Sequence, residues 1–290
     1  MAIENFIPEV WNAQMLLDFH EQATAAAIAN RQYEGDARRG NTVHITSAVD
    51  VNIFDYSIGE ANGGTSGSPK ARTTAAEAVD DDGLELLIDQ EKNFDFYVDD
   101  IDRRQAAGTL DAYTQSAGTG MAEDADRFLL ATAHDGAAAD NQLDGGGTAP
   151  ADWKDAWDVL RDLRSALNKV HIPRANRVAF VNDEFASLLL EAESKITAVD
   201  TSGDSAGLRE GTLGRILGFR IVETENLPVV DDPQVVALYA PTLAFVSQIN
   251  ETEALRAQDK FADRLRGLHV YGGKVIRSSA VATWDVVTTS

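Results

Sequence analysis

The stretch from Asn41 to Asp100 constrains this chain most. In its first arm Val43, Ile45, Val49, Val51 and Ile53 alternate with Thr42, His44, Thr46, Asp50 and Asn52, the period of a strand with one covered face. The apolar parity shifts at Phe54, Tyr56 and Ile58, which predicts a bulge or a crossing onto new neighbours. The return arm alternates Leu84, Leu86, Ile88, Phe94, Phe96 and Val98 with Glu85, Asp89, Asn93, Asp95 and Asp99. Between the arms lies GEANGGTSGSPKARTTAAEAVDDDG, a polar tip rich in turn formers. Each arm spans roughly 55–60 Å at strand rise. A lone two-stranded ribbon of that length is not stable in water, and its open edges invite pairing. The rest of the chain offers few strands to receive it, so the predicted footing is a neighbouring subunit.

The second organising stretch is Thr109 to His134, read as a spine helix. Leu110, Tyr113, Ala117, Met121, Ala125, Phe128, Leu129 and Thr132 recur at three- and four-residue steps and share one face. Asp111, Gln115, Thr119, Glu123 and Asp126 are expected to stay wet. Gly118 and Gly120 each cost about 1 kcal/mol relative to Ala in a helix, so tertiary contacts must stabilise it.

Ahead of the ribbon, Ile3 to Trp11 reads as extended, followed by a helix from Asn12 to Asn30 with Leu16, Phe19 or His20, Ala23 and Ala27 buried. Residues 135–150 form a glycine-rich connector. Beyond it, 151–247 reads as an α/β unit. Its first helix carries Trp153, Trp157, Leu160, Leu167 and Val170, with Asp152 favoured by the helix dipole. A strand over Arg177–Val181 precedes a helix capped by Asn182 or Asp183 and carrying Phe185, Leu188, Leu189 and Ala192. Polar 200–207 is a loop, and strands are predicted at Phe219–Val222 and Val235–Tyr239. Further strands are predicted at Glu251–Arg256, Gly267–Tyr271, Val275–Ile276 and Val281–Trp284.

The 290 residues carry a net charge of −22. That argues against a surface gripping DNA, RNA or anionic lipid, which needs Lys and Arg gathered on one face. Without cysteine there are no disulfides or thiolate metal sites. The start MAIENFIPEVW lacks the pattern of a secretory signal, and the apolar run Val235–Val246 is too short to span a bilayer. His20, His44, His134, His171 and His269 make no zinc pattern. Gly118-Thr119-Gly120 lacks the third glycine and the βαβ setting of a dinucleotide fingerprint. Gly64-Thr65-Ser66-Gly67-Ser68 is no nucleophile elbow, and Asp80-Asp81-Asp82 lacks calcium-loop spacing. No catalytic, cofactor or metal site is expected. An enzyme built on 151–247, with Asp183 or Glu184 as acid, is the reading that would require a pocket with perturbed carboxylates.

Three stretches together resemble the HK97-fold major capsid proteins of tailed bacteriophages, of actinophage-like type. They are Ile7-Pro8-Glu9-Val10-Trp11 with Glu34-Gly35 and Gly40-Asn41-Thr42-Val43-His44-Ile45; the spine ending in Ala122-Glu123-Asp124-Ala125-Asp126 with Leu129 and Leu130; and Gly214-Arg215-Ile216-Leu217-Gly218-Phe219-Arg220-Ile221-Val222 with Leu227-Pro228, completed by Tyr271-Gly272-Gly273-Lys274-Val275-Ile276-Arg277. Their order and spacing cover nearly the whole chain. The resemblance implies an α+β HK97-like capsid fold: an N-terminal arm (1–40), an extended E-loop hairpin (41–100), a peripheral domain with the spine helix (101–136 and 248–290) and an α/β axial domain (137–247). It implies hexamers and pentamers tiling an icosahedral virion shell, assembled in the host cytoplasm around double-stranded DNA. A separate scaffolding protein, a portal and a decoration protein are the implied partners, with no membrane involvement. An acidic lining suits DNA that must slide and leave. An encapsulin-like nanocompartment shell is the alternative. Inter-subunit contacts are expected at Trp11, Val49, Val51, Phe54, Tyr56, Lys70, Arg72, Phe94 and Phe96. Some family members crosslink an E-loop lysine; Lys70 alone lies near the tip, and that chemistry is not carried over.

Overall fold

The computed structural model describes residues 24–34, 40–48, 81–99, 111–191, 214–229, 231–257 and 260–286. In chain order the elements are α1 (Thr24–Ile28), β1 (Thr42–Ala48), β2 (Asp81–Leu87), β3 (Gln90–Asp99), α2 (Asp111–Asp135), β4 (Gln142–Asp144), α3 (Trp153–Lys169), β5 (Arg177–Val181), α4 (Asp183–Leu189), β6 (Arg215–Ile216), β7 (Phe219–Glu223), β8 (Gln234–Tyr239), β9 (Leu243–Arg256), β10 (Ala262–Val275) and β11 (Val281–Asp285). Residues 42–86 form one unit and the rest of the chain another.

In the smaller unit β1 pairs with β2 as a two-stranded sheet. Val43, Ile45 and Leu86 are buried, as the period-two pattern predicts, and exposed His44 lies 3.6 Å from Glu85. These three side chains are buried within the single chain, so the base of the ribbon does not need the neighbouring subunit that its pattern predicts. The remainder, residues 49–80 with the parity shift at Phe54, lies outside the described residues, while the last residues of the expected tip, Asp81 to Gly83, begin β2.

The predicted return arm is not one strand. It breaks at Ile88 and Asp89, and β3 leaves the ribbon for a three-stranded sheet ordered β3-β10-β9. The register runs from Ala262 opposite Asp99 to Tyr271 opposite Gln90, without a bulge. The sequence pattern split β10 at Gly272 and Gly273 and so offered few strands to receive this arm, which pairs within its own chain rather than on a neighbouring subunit. Those glycines do not end the strand; they admit neighbours. A Cβ on Gly272 would sit 2.1 Å from the Leu87 carbonyl oxygen, and one on Gly273 would sit 2.6 Å from Leu129.

The second sheet of the larger unit is six-stranded, ordered β4-β11-β8-β5-β7-β6. Every residue of β5 is buried, because both faces are covered. Val178 and Phe180 join Val236, Leu238 and Val281 against Ala125, Leu129, Leu130 and Ala133 of α2. Ala179 and Val181 join Val235, Ala237 and Ala282 against Leu160, Leu163 and Leu167 of α3 and Phe185 and Leu189 of α4. Helix α2 thus lies on one face, with α3 and α4 on the other. The α2 core extends to Phe245, Tyr271 and Val275, joining the long strands to the same spine.

The caps follow local chemistry. Asp152 precedes α3 and accepts from the amides of Lys154 and Asp155, at 2.9 and 3.1 Å, so it is the N-cap rather than a first-turn residue. Asn182 caps α4 through Phe185 N. The connector after α2 is more structured than glycine content suggests: β4 pairs parallel with β11. In α1, Ala25 and Ala26 are buried and Ala27 is exposed, opposite to the expected stripe. The rest of the predicted helix, with Leu16, Phe19, His20 and Ala23, lies outside the described residues, as does the 200–207 loop.

Candidate assembly surface

Asp126 was expected in water, yet it is 1% exposed. Its carboxylate is satisfied by the start of α1: Oδ2 accepts from Thr24 N at 2.7 Å and Ala25 N at 3.2 Å, and Oδ1 from Ala26 N at 3.1 Å. Thr24 Oγ1 adds a bond of 2.8 Å. A carboxylate at these orphan amides works as a cap supplied by another helix. The segment continues as a clamp: Asn30 N donates to Leu243 O and Phe245 N to Asn30 O, at 2.7 and 3.0 Å. The N-terminal segment is thereby fastened to the spine and to β9.

A second polar cluster holds the spine to the sheets. Tyr271 Oη donates to Asp124 at 2.6 Å, and Lys92 Nζ lies 3.3 Å from the same carboxylate. Burial pushes the Tyr271 phenol above its ordinary range. Beside it, His269 is 1% exposed and bonds Ser247 Oγ at 3.0 Å. Burial pulls the imidazole down to about 4, with the Arg31 charge acting in the same direction. At the other end of α2, His134 Nε2 meets Asp285 Oδ2 of β11 at 2.8 Å. Asp285 Oδ1 accepts from Gln234 Nε2 at 2.5 Å, and Gln234 N donates to Asn182 Oδ1 at 3.0 Å. The hydrogen bond to Asp285 pushes His134 up to about 9 against the opposing effect of burial. These groups tie α2 to β3, β8, β9, β10 and β11.

The exposed surface gathers on the β3-β10-β9 sheet. By register, Asp95, Arg266 and Glu253 lie in one row across one face, and Tyr97, Arg264 and Leu255 in the next. Arg264 forks onto Asp95, and Arg266 Nε donates to Glu253 at 2.8 Å. Exposed Tyr97, Leu255 and Leu268 lie among these ion pairs, with Lys260 Nζ 4.2 Å from the Tyr97 ring centroid. Phe261, in the β9–β10 connection, is 80% exposed. A depression of about 370 Å³ is lined by Phe94, Asp95, Glu253, Arg264, Arg266 and Leu268, among others. This face is therefore mixed, with paired charges around isolated apolar side chains.

Of the predicted contact residues, Phe94 and Phe96 are described. Both are half-buried on β3, their rings stacked at 5.9 Å, and Phe94 lies over Gly267, whose missing Cβ makes room for the ring. Trp11, Val49, Val51, Phe54, Tyr56, Lys70 and Arg72 lie outside the described residues. Exposed Tyr97, Leu255, Phe261 and Leu268 were not singled out in the sequence; for Leu255 and Leu268 the usable signal was the alternation along β9 and β10, hidden by dividing β10. Among the described residues no group of His, Asp and Glu could hold a metal ion, and no helix is long and apolar enough to cross a membrane. Gly118-Thr119-Gly120 lies inside α2, away from any strand-to-helix turn. Asp183 is exposed at the start of α4, where its amide donates to Glu225 at 2.8 Å.

A spine helix fastening a six-stranded sheet to long paired strands, with a separate ribbon unit, defines an HK97-like capsid architecture of α+β class. Residues 86–284 match the model of the phage capsid protein family. A chain in the solved structure of Mycobacterium phage Che8 is 43% identical, with 98% of this chain and 94% of that one covered and a TM-score of 0.77. The capsid of cyanophage P-SCSP1u matches at 13% identity, 85% and 84% coverage and a TM-score of 0.68. The mature capsid of bacteriophage PhiM1 matches at 17% identity, 87% and 83% coverage and a TM-score of 0.62. No curated protein matches the chain. The chain belongs to the phage capsid protein family, and its role is that of a shell-forming major capsid protein.

Proposed function

We propose that this protein acts by self-association alone, as hexamers and pentamers that close into the icosahedral shell of a tailed phage around double-stranded DNA. The observation that supports this reading is that residues 42–86 form a compact unit of their own while the rest of the chain builds both larger sheets. The parts are read as an N-terminal arm (1–40), an E-loop (41–100), a peripheral domain (101–136 and 248–290) and an axial domain (137–247). Strand β3 of the E-loop range roots in the peripheral sheet, and β11 crosses into the axial sheet between β4 and β8. The contacts between copies are assigned to Trp11, Val49, Val51, Phe54, Tyr56, Lys70, Arg72, Phe94 and Phe96. A scaffolding protein and a portal act during assembly in the host cytoplasm, and a decoration protein is a possible addition. The protein catalyses no reaction; a net charge of −22 keeps the enclosed DNA from adhering.

The test is the double variant Val49→Asp/Val51→Asp. It should remain folded, with an unchanged circular dichroism spectrum, and yield at least tenfold fewer particles. Shells at normal yield would mean that this face meets no neighbour. Particles purified from the native source should contain DNA; a protein cargo without DNA would favour the nanocompartment reading.

A further inference from the structure

The six-stranded sheet carries opposite charges at its two ends. Strand β5 runs from Arg177 to Val181, parallel to β7 and antiparallel to β8. The β6–β7 turn at Leu217 and Gly218 therefore lies at the Arg177 end, and the loop before β8 at the Val181 end. At the first end Arg164, Arg174 and Arg177 line a depression of about 220 Å³ with Leu217 and Gly218. Arg177 is 2% exposed and is held by neutral acceptors: Asn168 Oδ1 at 3.0 Å, Ile172 O at 2.5 Å and Pro173 O at 2.9 Å. Among the described residues none of the three arginines is ion-paired. Burial and the charges of Arg174 and Arg164 all disfavour the cation of Arg177. In a chain of net charge −22, three cations lining one depression without a counter-charge form a local surface complementary to an anion.

At the other end Asp231 and Asp232 are exposed and, among the described residues, carry no ion pair. The loop that bears them is pinned. Asn182 Nδ2 donates to Asp232 O at 2.6 Å, and Val229 N donates to Gln234 Oε1 at 3.1 Å. Asp231 takes a positive φ of 68° within this turn. The two carboxylates are presented on a fixed support, so little ordering entropy is lost when they dock.

The ends are separated by the length of β5, roughly 15 Å at strand rise, so one copy cannot satisfy both. We propose that the Arg164–Arg174–Arg177 depression receives the Asp231–Asp232 loop of a second copy of this chain, head to tail. A contact between unlike ends leaves one free socket and one free loop on each open assembly, and with rotation it closes into a ring in which both are used. This rests on the shell reading and names the contact that sets ring direction. Guanidinium groups suit the role because they hold carboxylates bidentately.

The experiment compares particle yield, by sedimentation and electron microscopy, for the wild type, Arg174→Glu, Asp232→Arg and the double variant carrying both changes. Both side chains are exposed, so melting temperatures should stay within a few degrees. Each single change should lower yield at least tenfold, and the double variant should recover several-fold over either. Arg174→Gln, which keeps length without charge, should give an intermediate loss and guards against misfolding as the cause. Yields unaffected by either single change, or a double variant no better than the singles, would overturn the contact. So would inorganic phosphate protecting the arginines from chemical modification while the variants assemble normally, since the depression would then be a simple anion site. Wild-type protein that forms no particle at all would instead remove the shell reading beneath it.

Discussion

Asp126 lies on the spine at a position where the helical pattern calls for a wet side chain, yet the arm brings three backbone amides to it. Burying a carboxylate is tolerable only because each oxygen is satisfied, and removing it leaves helix-start amides without acceptors. Asp126→Ala should therefore cost about 2–3 kcal/mol where the arm docks and speed hydrogen exchange at Ala25 and Ala26, with little change at β5. Slow exchange at both amides in that variant would show that the arm is held elsewhere. His134 and His269 make opposite contributions to pH dependence. His134 is raised to about 9, so its stabilisation is complete below about 6.5 and is lost as pH rises through 9. His269 is lowered to about 4, so stability falls as pH drops from about 6.5 through 4. Thermal unfolding should peak near neutrality. His134→Gln should flatten the alkaline limb by about 2 kcal/mol and leave the acid limb unchanged; an alkaline limb as steep as the wild type's would contradict the His134–Asp285 pairing.

Among the elements, β3 best shows what sequence alone conveys. Its alternation is plain, but so is that of β2, with the same parity on both sides of Ile88. Nothing local marks the point where the chain changes partners. The cause is nonlocal: β10 offers ten consecutive partners, from Ala262 to Tyr271. Helix α2 was legible almost to its ends because a 25-residue amphipathic pattern leaves few alternatives. Its buried carboxylate was not, since the capped helix lies about 100 residues away in the chain. The ten-residue contact of β3 depends on close passage at Gly272, where a Cβ would meet the Leu87 carbonyl at 2.1 Å. Gly272→Ala should destabilise the larger unit by about 1–3 kcal/mol, as forced backbone shifts do. A variant melting at the wild-type temperature would mean that the two segments separate without cost.

For the whole molecule, the class was legible through the resemblance of three ordered stretches to phage capsid proteins, with which the ribbon and the spine agreed, while the exposed face of the three-stranded sheet was only partly visible. Phe94 and Phe96 were singled out as expected contacts because they are apolar and periodic. Tyr97, Leu255 and Leu268 were not, because each stands alone among charges whose pairing requires three aligned strands. The same holds for the arginine depression, assembled from α3, the connection after it, the start of β5 and the β6–β7 turn. All of these features acquire a role only if copies of the chain meet. Electron microscopy of the purified protein, with any scaffold it requires, addresses that directly. Closed particles of uniform diameter are predicted, with fivefold and sixfold clusters in their walls; a monodisperse monomer under every assembly condition would contradict the account.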